Sequence, residues 1–465
     1  MQSNKIITFC LSIMIASTGC KKLVEISEPV KSITSSETFS TIGTANVAIL
    51  AIYSDMIKRG NIGFAGGGLT INAAMSADEL TQFGNPGNAY FTNSLLSNDG
   101  TDLNFWVSAY FNIYQANAAI EGIQRSTSLP SAVKDTLTGE AKFLRAFCYF
   151  YLVNMYGDVP LLTTTDFASN SIALRTPASQ VYQQIFSDLK EAQQILPVDY
   201  SATGGEKIRA TKWAATALLA RTYLYTGKYD SAASQATLVI NNPAYYLVNN
   251  LSSSNYGFQK NNLEAILQLQ PNSSGTQYAT PEGNQFVPTS NTTKPNFYLT
   301  PGFLNAFEPG DKRKAVWINT TTYQSTVYYY PYKYQLRTAA VNNIPEYYTV
   351  LRLAEQYLIR AEAKAQTNDL NGAISDLNVI RNRAGLPPLS SSLTQAQVLA
   401  AVAQENRVEF FVEWGHRWFD LKRTGQADAV LGTLKGSTWQ TTDQLYPIPQ
   451  LELQYDQNLT QNLGY

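Results

Sequence analysis

WAATALLARTYLYTGKYDSAASQATLVI, residues 213 to 240, reads as two short helices folded back on each other. Apolar residues recur at helical spacing through Ala217, Ala220 and Leu224, stop at Gly227, and resume through Tyr229, Ala232, Ala236 and Ile240. A helix that ends at a glycine, with the next starting at once, is a tight antiparallel hairpin. Ala220, Ala232 and Ala236 are small enough to let two helix axes approach closely, and Tyr223 and Tyr229 would fill the space beside them.

The arrangement returns in LAEQYLIRAEAKAQTNDLNGAISDLNVIRNRAG, residues 353 to 385. Counting from Ala220, the turn residue Gly227 is seven on, Tyr229 nine on and Ala232 twelve on; counting from Ala361, the same offsets give Asn368, Leu370 and Ala373. Gly and Asn are the residues that best tolerate a left-handed turn conformation. This is the tetratricopeptide-repeat pattern in two degenerate copies, and it predicts a mainly α fold of stacked helical hairpins.

Working outward, Glu140 to Tyr156 is an aromatic helix, apolar nearly all round and therefore expected between neighbours, with Gly157-Asp-Val-Pro160 stopping it. Further helices are predicted from Ser36 to Arg59, from Asp102 to Arg125, and from Pro177 to Leu196. Residues 60–100 are loop-rich; the triple glycine Gly66-Gly-Gly68 lacks the Lys-Ser/Thr of a phosphate loop. Between Pro243 and Val350 the helical period fades, and 13 of the 29 tyrosines gather there. Runs such as Ala265 to Gln270 and Tyr328 to Tyr330 predict short strands between long loops, a functional insertion placed over the helices. After the second hairpin a helix is expected from Gln395 to Phe411. Charges then continue at helical steps through Glu409, Glu413 and Arg417 to Asp420, with Trp414 and Trp418 on another side.

The chain has 465 residues, a net charge of −1 and 15% charged residues, which argues against a nucleic-acid partner. Residues 1–20, MQSNKIITFCLSIMIASTGC, combine a basic start at Lys5, an apolar run and small residues before Cys20. That is a secretory signal, and with Cys20 acylated the mature body would be tethered to a membrane. Cys148 inside the aromatic helix is then the one thiol of the body, which excludes an internal disulfide.

Taken together, these motifs resemble the SusD/RagB family of nutrient-binding surface lipoproteins of Bacteroidetes. The resemblance rests on the lipidated start CKKLVE (20–25), EAKFLRAFCYFYLVNMYGDVPL (140–161), RLAEQYLIRAEA (352–363), ENRVEFFVEWGHRWFDLKRTG (405–425) and LYPIPQLELQYDQNLTQNLGY (445–465); Leu463 stands where a proline is common. The expected organisation is a signal peptide at 1–19, a tether at 20–35, helical regions at 36–242 and 351–465, and the irregular insertion at 243–350. The resemblance implies a right-handed helical superhelix of tetratricopeptide type and no cofactor. It also implies a protein lipid-anchored on the outer membrane, facing outward. Such a protein binds an oligosaccharide, or in some members a peptide, and passes it to a SusC-like TonB-dependent transporter.

A pyranose offers an apolar C–H face and directional hydroxyls, which exposed rings flanked by amides can match. Two regions fit. One holds Phe83, Asn85, Tyr90 and Phe91; the other holds Tyr278, Phe286, Asn296, Phe297, Tyr298, Trp317, Tyr323 and Tyr328. A glycoside hydrolase would need two placed carboxylates. Glu405, Glu409, Glu413 and Asp420 read instead as a salt-bridged scaffold, and the adjacent Asp78-Glu79 as loop bracing. His416 is the only histidine, which removes most triads and every multi-histidine metal site. A glycan-binding lipoprotein, a structural repeat adaptor and a surface hydrolase are the three readings to separate.

Overall fold

The computed structural model describes residues 35–57, 64–98, 103–272 and 278–465. The signal peptide, the lipidation candidate Cys20 and nearly all of the tether lie outside the described residues. The main helices are α1 (Ile42–Ile57), α2 (Leu69–Ser76), α3 (Leu103–Arg125), α4 (Ser131–Tyr156), α5 (Ala178–Ile195), α6 (Lys212–Tyr225), α7 (Tyr229–Ile240), α8 (Leu353–Gln366), α9 (Leu370–Ala384), α10 (Gln395–Glu409), α11 (His416–Arg423) and α12 (Ala427–Lys435). From α3 to α9 each helix packs on the next, so the mainly α, tetratricopeptide-like reading is borne out.

Both repeat hairpins form as expected. Gly227 and Asn368 carry φ of +68° and +67° at matching turn positions. Ala220, Ala232 and Ala236 are fully buried in one cluster with Ile359 and Ala363, so the two hairpins touch although 112 residues separate α7 from α8 in sequence. Arg221 of α6 ties them together: Nη2 donates to Glu355 of α8 at 2.8 Å, and Nη1 donates to the Tyr151 hydroxyl at 3.0 Å. The aromatic helix α4 is buried on nearly every side from Leu137 on, and Arg145 crosses from it to Asp188 of α5 with two bonds of 2.7 and 2.8 Å.

The insertion contains short strands: β2 (Ala265–Leu269), β3 (Phe297–Leu299), β4 (Ile318–Tyr323), β5 (Thr326–Pro331) and β6 (Tyr348–Arg352); β1 (Leu80–Gln82) precedes them in the N-terminal part. β2 pairs antiparallel with β6, closing the insertion at its base, and β4 pairs with β5 as a hairpin. β3 leaves the insertion to pair with β1.

Two expectations about helices are corrected. The helix expected from Ser36 onward is two pieces, Ser35–Thr38 and α1, because Thr41 starts a new helix by accepting the Thr44 N–H on its hydroxyl. The C-terminal charged helix breaks after Glu409. Val412, Trp414 and Gly415 take positive φ, and the turn is held from outside: Glu79 accepts the Val412 N–H at 3.2 Å and Thr70 the Trp414 N–H at 3.1 Å. Glu409, Glu413 and Arg417 therefore share no helix face, nor do Trp414 and Trp418.

The carboxylates freed from that pattern anchor the insertion instead. Glu409 pairs with Arg313, Arg352 and Arg383, and Glu413 with Lys333 and Arg352. Glu264 joins Arg352 and Arg383 at 2.8 and 3.0 Å, and all of these residues are buried. Burial works to raise the Glu409 carboxyl, but Arg383, Arg352 and Arg313 around it hold it well below the usual range.

Candidate functional site

The pairing of β1 with β3 brings the two ring-bearing regions of the sequence to one place. Thr81 faces Tyr298 across the ladder, and the Phe83 N–H donates to the Asn296 carbonyl at 2.9 Å, extending it by one residue. Side chains alternate along a strand. Phe297 and Leu299 consequently turn into the core, while Tyr298 stays half-buried on the other face.

The β4–β5 hairpin lies over this edge. Phe83 makes edge-to-face contacts with Tyr323 (5.7 Å between centroids) and Tyr328 (5.4 Å), and Tyr328 makes one with Tyr298 (5.1 Å). Each of the four rings is half-buried, with none wholly covered and none loose. T-shaped pairs hold ring orientation beyond what burial alone does. Next to them, Tyr323 and Asn296 line a cleft of about 370 Å³ shared with Gln285, Thr292, Lys294 and Arg337. Its floor is fixed by the main chain: Arg337 donates to the carbonyls of Asn284 and Val287 at 3.0 and 2.8 Å, and Asn296 donates to that of Gln285 at 3.2 Å. On the far side of Phe83, Gln82 collects Asn85 and Asn88 on its carbonyl oxygen at 3.2 and 2.8 Å, leaving Asn85 exposed.

Five of the candidate residues, Phe83, Asn296, Tyr298, Tyr323 and Tyr328, thus come together, while Asn85 is exposed beside Gln82 and does not line the cleft. The others do not join them. Phe286 and Phe297 are buried beneath the strand, edge to face with each other at 6.1 Å. Tyr90 is buried against Tyr446. Phe91 is half-buried, with the Lys435 ammonium 4.4 Å above its ring. Trp317 is 1% exposed; its indole N–H donates to the Tyr256 carbonyl, and Lys333, Arg352 and Arg383 surround its ring. It is the aromatic wall of the buried ion network. Tyr278 is half-buried, with its N–H on the Ala339 carbonyl, and makes no ring contact with the cluster. Gln285, Lys294 and Arg337 were not singled out by sequence. They carry no local pattern, and only the chain's path places them on the cleft.

The acidic residues that a hydrolase would use are otherwise engaged. Asp78 is bound by Arg407 (2.6 Å) and Arg417 (2.8 Å), while Asp420 pairs with Arg423 at 2.7 Å. Glu405 bridges Arg313 and Arg381 at 2.9 and 2.8 Å. Glu79 braces the 410–415 turn, as noted above. His416 stacks on Phe410 at 4.6 Å, and burial together with the positive charge of Arg221 and Arg352 holds its imidazole neutral. Among the described residues no cluster of His, Cys, Asp or Glu could hold a metal ion, and no helix is long and apolar enough to cross a membrane.

Two family models match the chain: one described as starch-binding associating with the outer membrane, over residues 70–224, and one described as the SusD family, over 312–465. SusD-like protein P2 of Formosa agariphila is 27% identical over 98% of both chains. A SusD superfamily protein from Bacteroides vulgatus superposes with a TM-score of 0.81 at 21% identity, covering 92% of this chain and all of that one. A laminarin-binding SusD-like protein does so at 0.77 and 27%, covering 91% and 99%. With both halves matched and the fold shared along the whole body, this chain belongs to the SusD/RagB family.

Proposed function

We propose that this protein captures an oligosaccharide without cleaving it, on the ring cluster Phe83, Tyr298, Tyr323 and Tyr328, and hands it to a SusC-like TonB-dependent transporter. Acylation of Cys20 would hold it on the outer face of the outer membrane. The observation that carries this reading is the cluster itself. Four half-buried rings, drawn from three separate segments, stand beside a cleft of about 370 Å³ lined by the amides of Gln285 and Asn296 and by Lys294 and Arg337, with no carboxylate. Sugar rings need an apolar platform and directional donors and acceptors, and nothing in that demand calls for a nucleophile or a proton relay.

The ion pairs of Asp78, Glu405, Glu409, Glu413 and Asp420 support the non-catalytic part of the reading, since a charge locked to arginine is poorly suited to donate a proton. The laminarin-binding relative makes soluble β-glucan a sensible first ligand. Isothermal titration against neutral hexasaccharides, a polyuronate and a peptide mixture tests it. Binding of one glycan among these, with no reducing ends released over a day, is the expected result. Binding of peptides alone would reassign the ligand, and glycan cleavage would overturn the non-catalytic reading.

A further inference from the structure

A second concavity lies on the repeats, away from the hairpin cluster. It is a groove of about 700 Å³ between the segment that leaves α7 and the helices α8 and α9. It shares no lining residue with the first cleft. Its chemistry is unusual for a helical surface, because none of its lining side chains is charged. The polar lining consists chiefly of asparagine amides, from Asn241, Asn242 and Asn249 on one wall and from Asn378 and Asn382 on the other, with the rings of Tyr246 and Tyr357 between.

These groups are set in place by the backbone, with hydrogen-bonding capacity left over. Tyr246 donates its N–H to the Leu263 carbonyl at 3.1 Å, which fixes the residue, while its side chain is 54% exposed. Asn378 accepts the Leu389 N–H at 2.7 Å and Asn242 the Ala244 N–H at 2.9 Å, so each keeps its amide donors. The side chains of Asn241, Asn249 and Asn382 make no hydrogen bond to another described residue. A carboxamide both donates and accepts, which matches a vicinal hydroxyl pair, and an exposed tyrosine face matches an axial C–H surface. An uncharged lining gives no attraction to a phosphate, a carboxylate or a basic peptide.

We propose that this groove is a second saccharide-binding site, taking a neutral oligosaccharide or another stretch of the polymer held at the ring cluster. It stands on the groove's own chemistry and rests on the glycan reading only for the choice of probe. Two sites on one rigid body would hold a long chain more tightly than either alone, by effective concentration.

Hydrogen–deuterium exchange of the mature protein reads both sites at once. The probes are laminarihexaose, maltohexaose, cellohexaose and xylohexaose at millimolar concentration. At least one is expected to protect residues 241–250 and 375–383. Tyr246→Ala and Asn382→Ala, each at the surface, are expected to abolish that protection with at least a tenfold loss of affinity there. Protection at 285–298 and 320–328 should stay in both variants. Protection at 241–250 absent with all four sugars would overturn the proposal, as would protection that survives both substitutions. Loss confined to the 285–328 segments on Tyr328→Ala leaves the groove standing and tests the ring cluster separately.

Discussion

Tyr328 touches both Phe83 and Tyr298, so it is the hinge of the ring cluster, and it stays half-buried while doing so. Trp317 is as aromatic and lies eleven positions earlier, yet it is enclosed by Lys333, Arg352 and Arg383. Truncation should therefore separate binding from stability. Tyr328→Ala is expected to weaken glycan binding roughly tenfold, as befits a lost ring contact, while thermal unfolding shifts little. Trp317→Ala should cost about 3–5 kcal/mol by denaturant unfolding, because it opens a cavity and strips a wall from buried cations. Sequence alone could not tell these two rings apart. Both sit in the same tyrosine-rich interval, but Trp317 ends a short helix, Lys312–Trp317, with its side chain buried, while Tyr328 lies on β5, and that difference follows from the chain's path, which composition does not encode.

At the scale of elements, the helical hairpins were legible because their determinants are local. Small residues at fixed offsets allow close approach, and Gly227 and Asn368 supply the left-handed turn with φ of +68° and +67°. Asn368 pays a small conformational cost there that glycine would not, so Asn368→Gly should be neutral or stabilise by a few tenths of a kcal/mol. Gly227→Val should destabilise by about 1–2 kcal/mol. Urea unfolding of both variants checks the pair, and equal effects would mean that the turn does not set hairpin stability. Two other elements were not legible. The β4–β5 hairpin turns through Gln324 and Ser325 at φ of +46° and +65°, a conformation usually marked by Asn-Gly. The break after Glu409 is imposed by Glu79 and Thr70, 333 and 344 residues from the N–H groups they accept. No window of neighbouring residues contains that information.

The whole molecule is held by buried charge. Arg352 joins Glu264 of the insertion to Glu409 and Glu413 of the C-terminal part, where Arg313, Arg383 and Lys333 close the network. Removing Arg352 leaves Glu409, Glu413 and Glu264 buried with one opposite charge fewer each, although Arg313, Arg383 and Lys333 remain beside them. Arg352→Leu should cost about 3–5 kcal/mol of stability, more than a well-packed apolar replacement of the entire cluster would. Denaturant midpoints decide it. Around this network lie two carboxyls of opposite character. Glu79 is pushed up to about 8 by burial and by the charge of Asp78, and Glu282 reaches about 8 through burial, although the Tyr348 hydroxyl donates to it at 2.6 Å. Their folded values lie above the ordinary carboxylate value of 4.5. Between about pH 4.5 and 8 the folded chain therefore holds protons that the unfolded chain has lost, and the stability each group contributes falls as pH rises. His416 acts in the opposite sense below about pH 6.5, because it is neutral when folded, and Lys422 and Lys435, depressed to about 7 by burial, do so above about 7. A single midpoint against pH would mix these contributions, so the clean observable is the difference between a variant and the parent. Glu282→Gln keeps the shape and cannot ionise. Relative to the parent, its stability should rise by on the order of 2 kcal/mol between about pH 5 and pH 6.5, since one proton of linkage is removed over that interval. Glu79→Gln should behave alike, and a difference flat across the interval would mean that the buried carboxyl is already ionised in the folded protein.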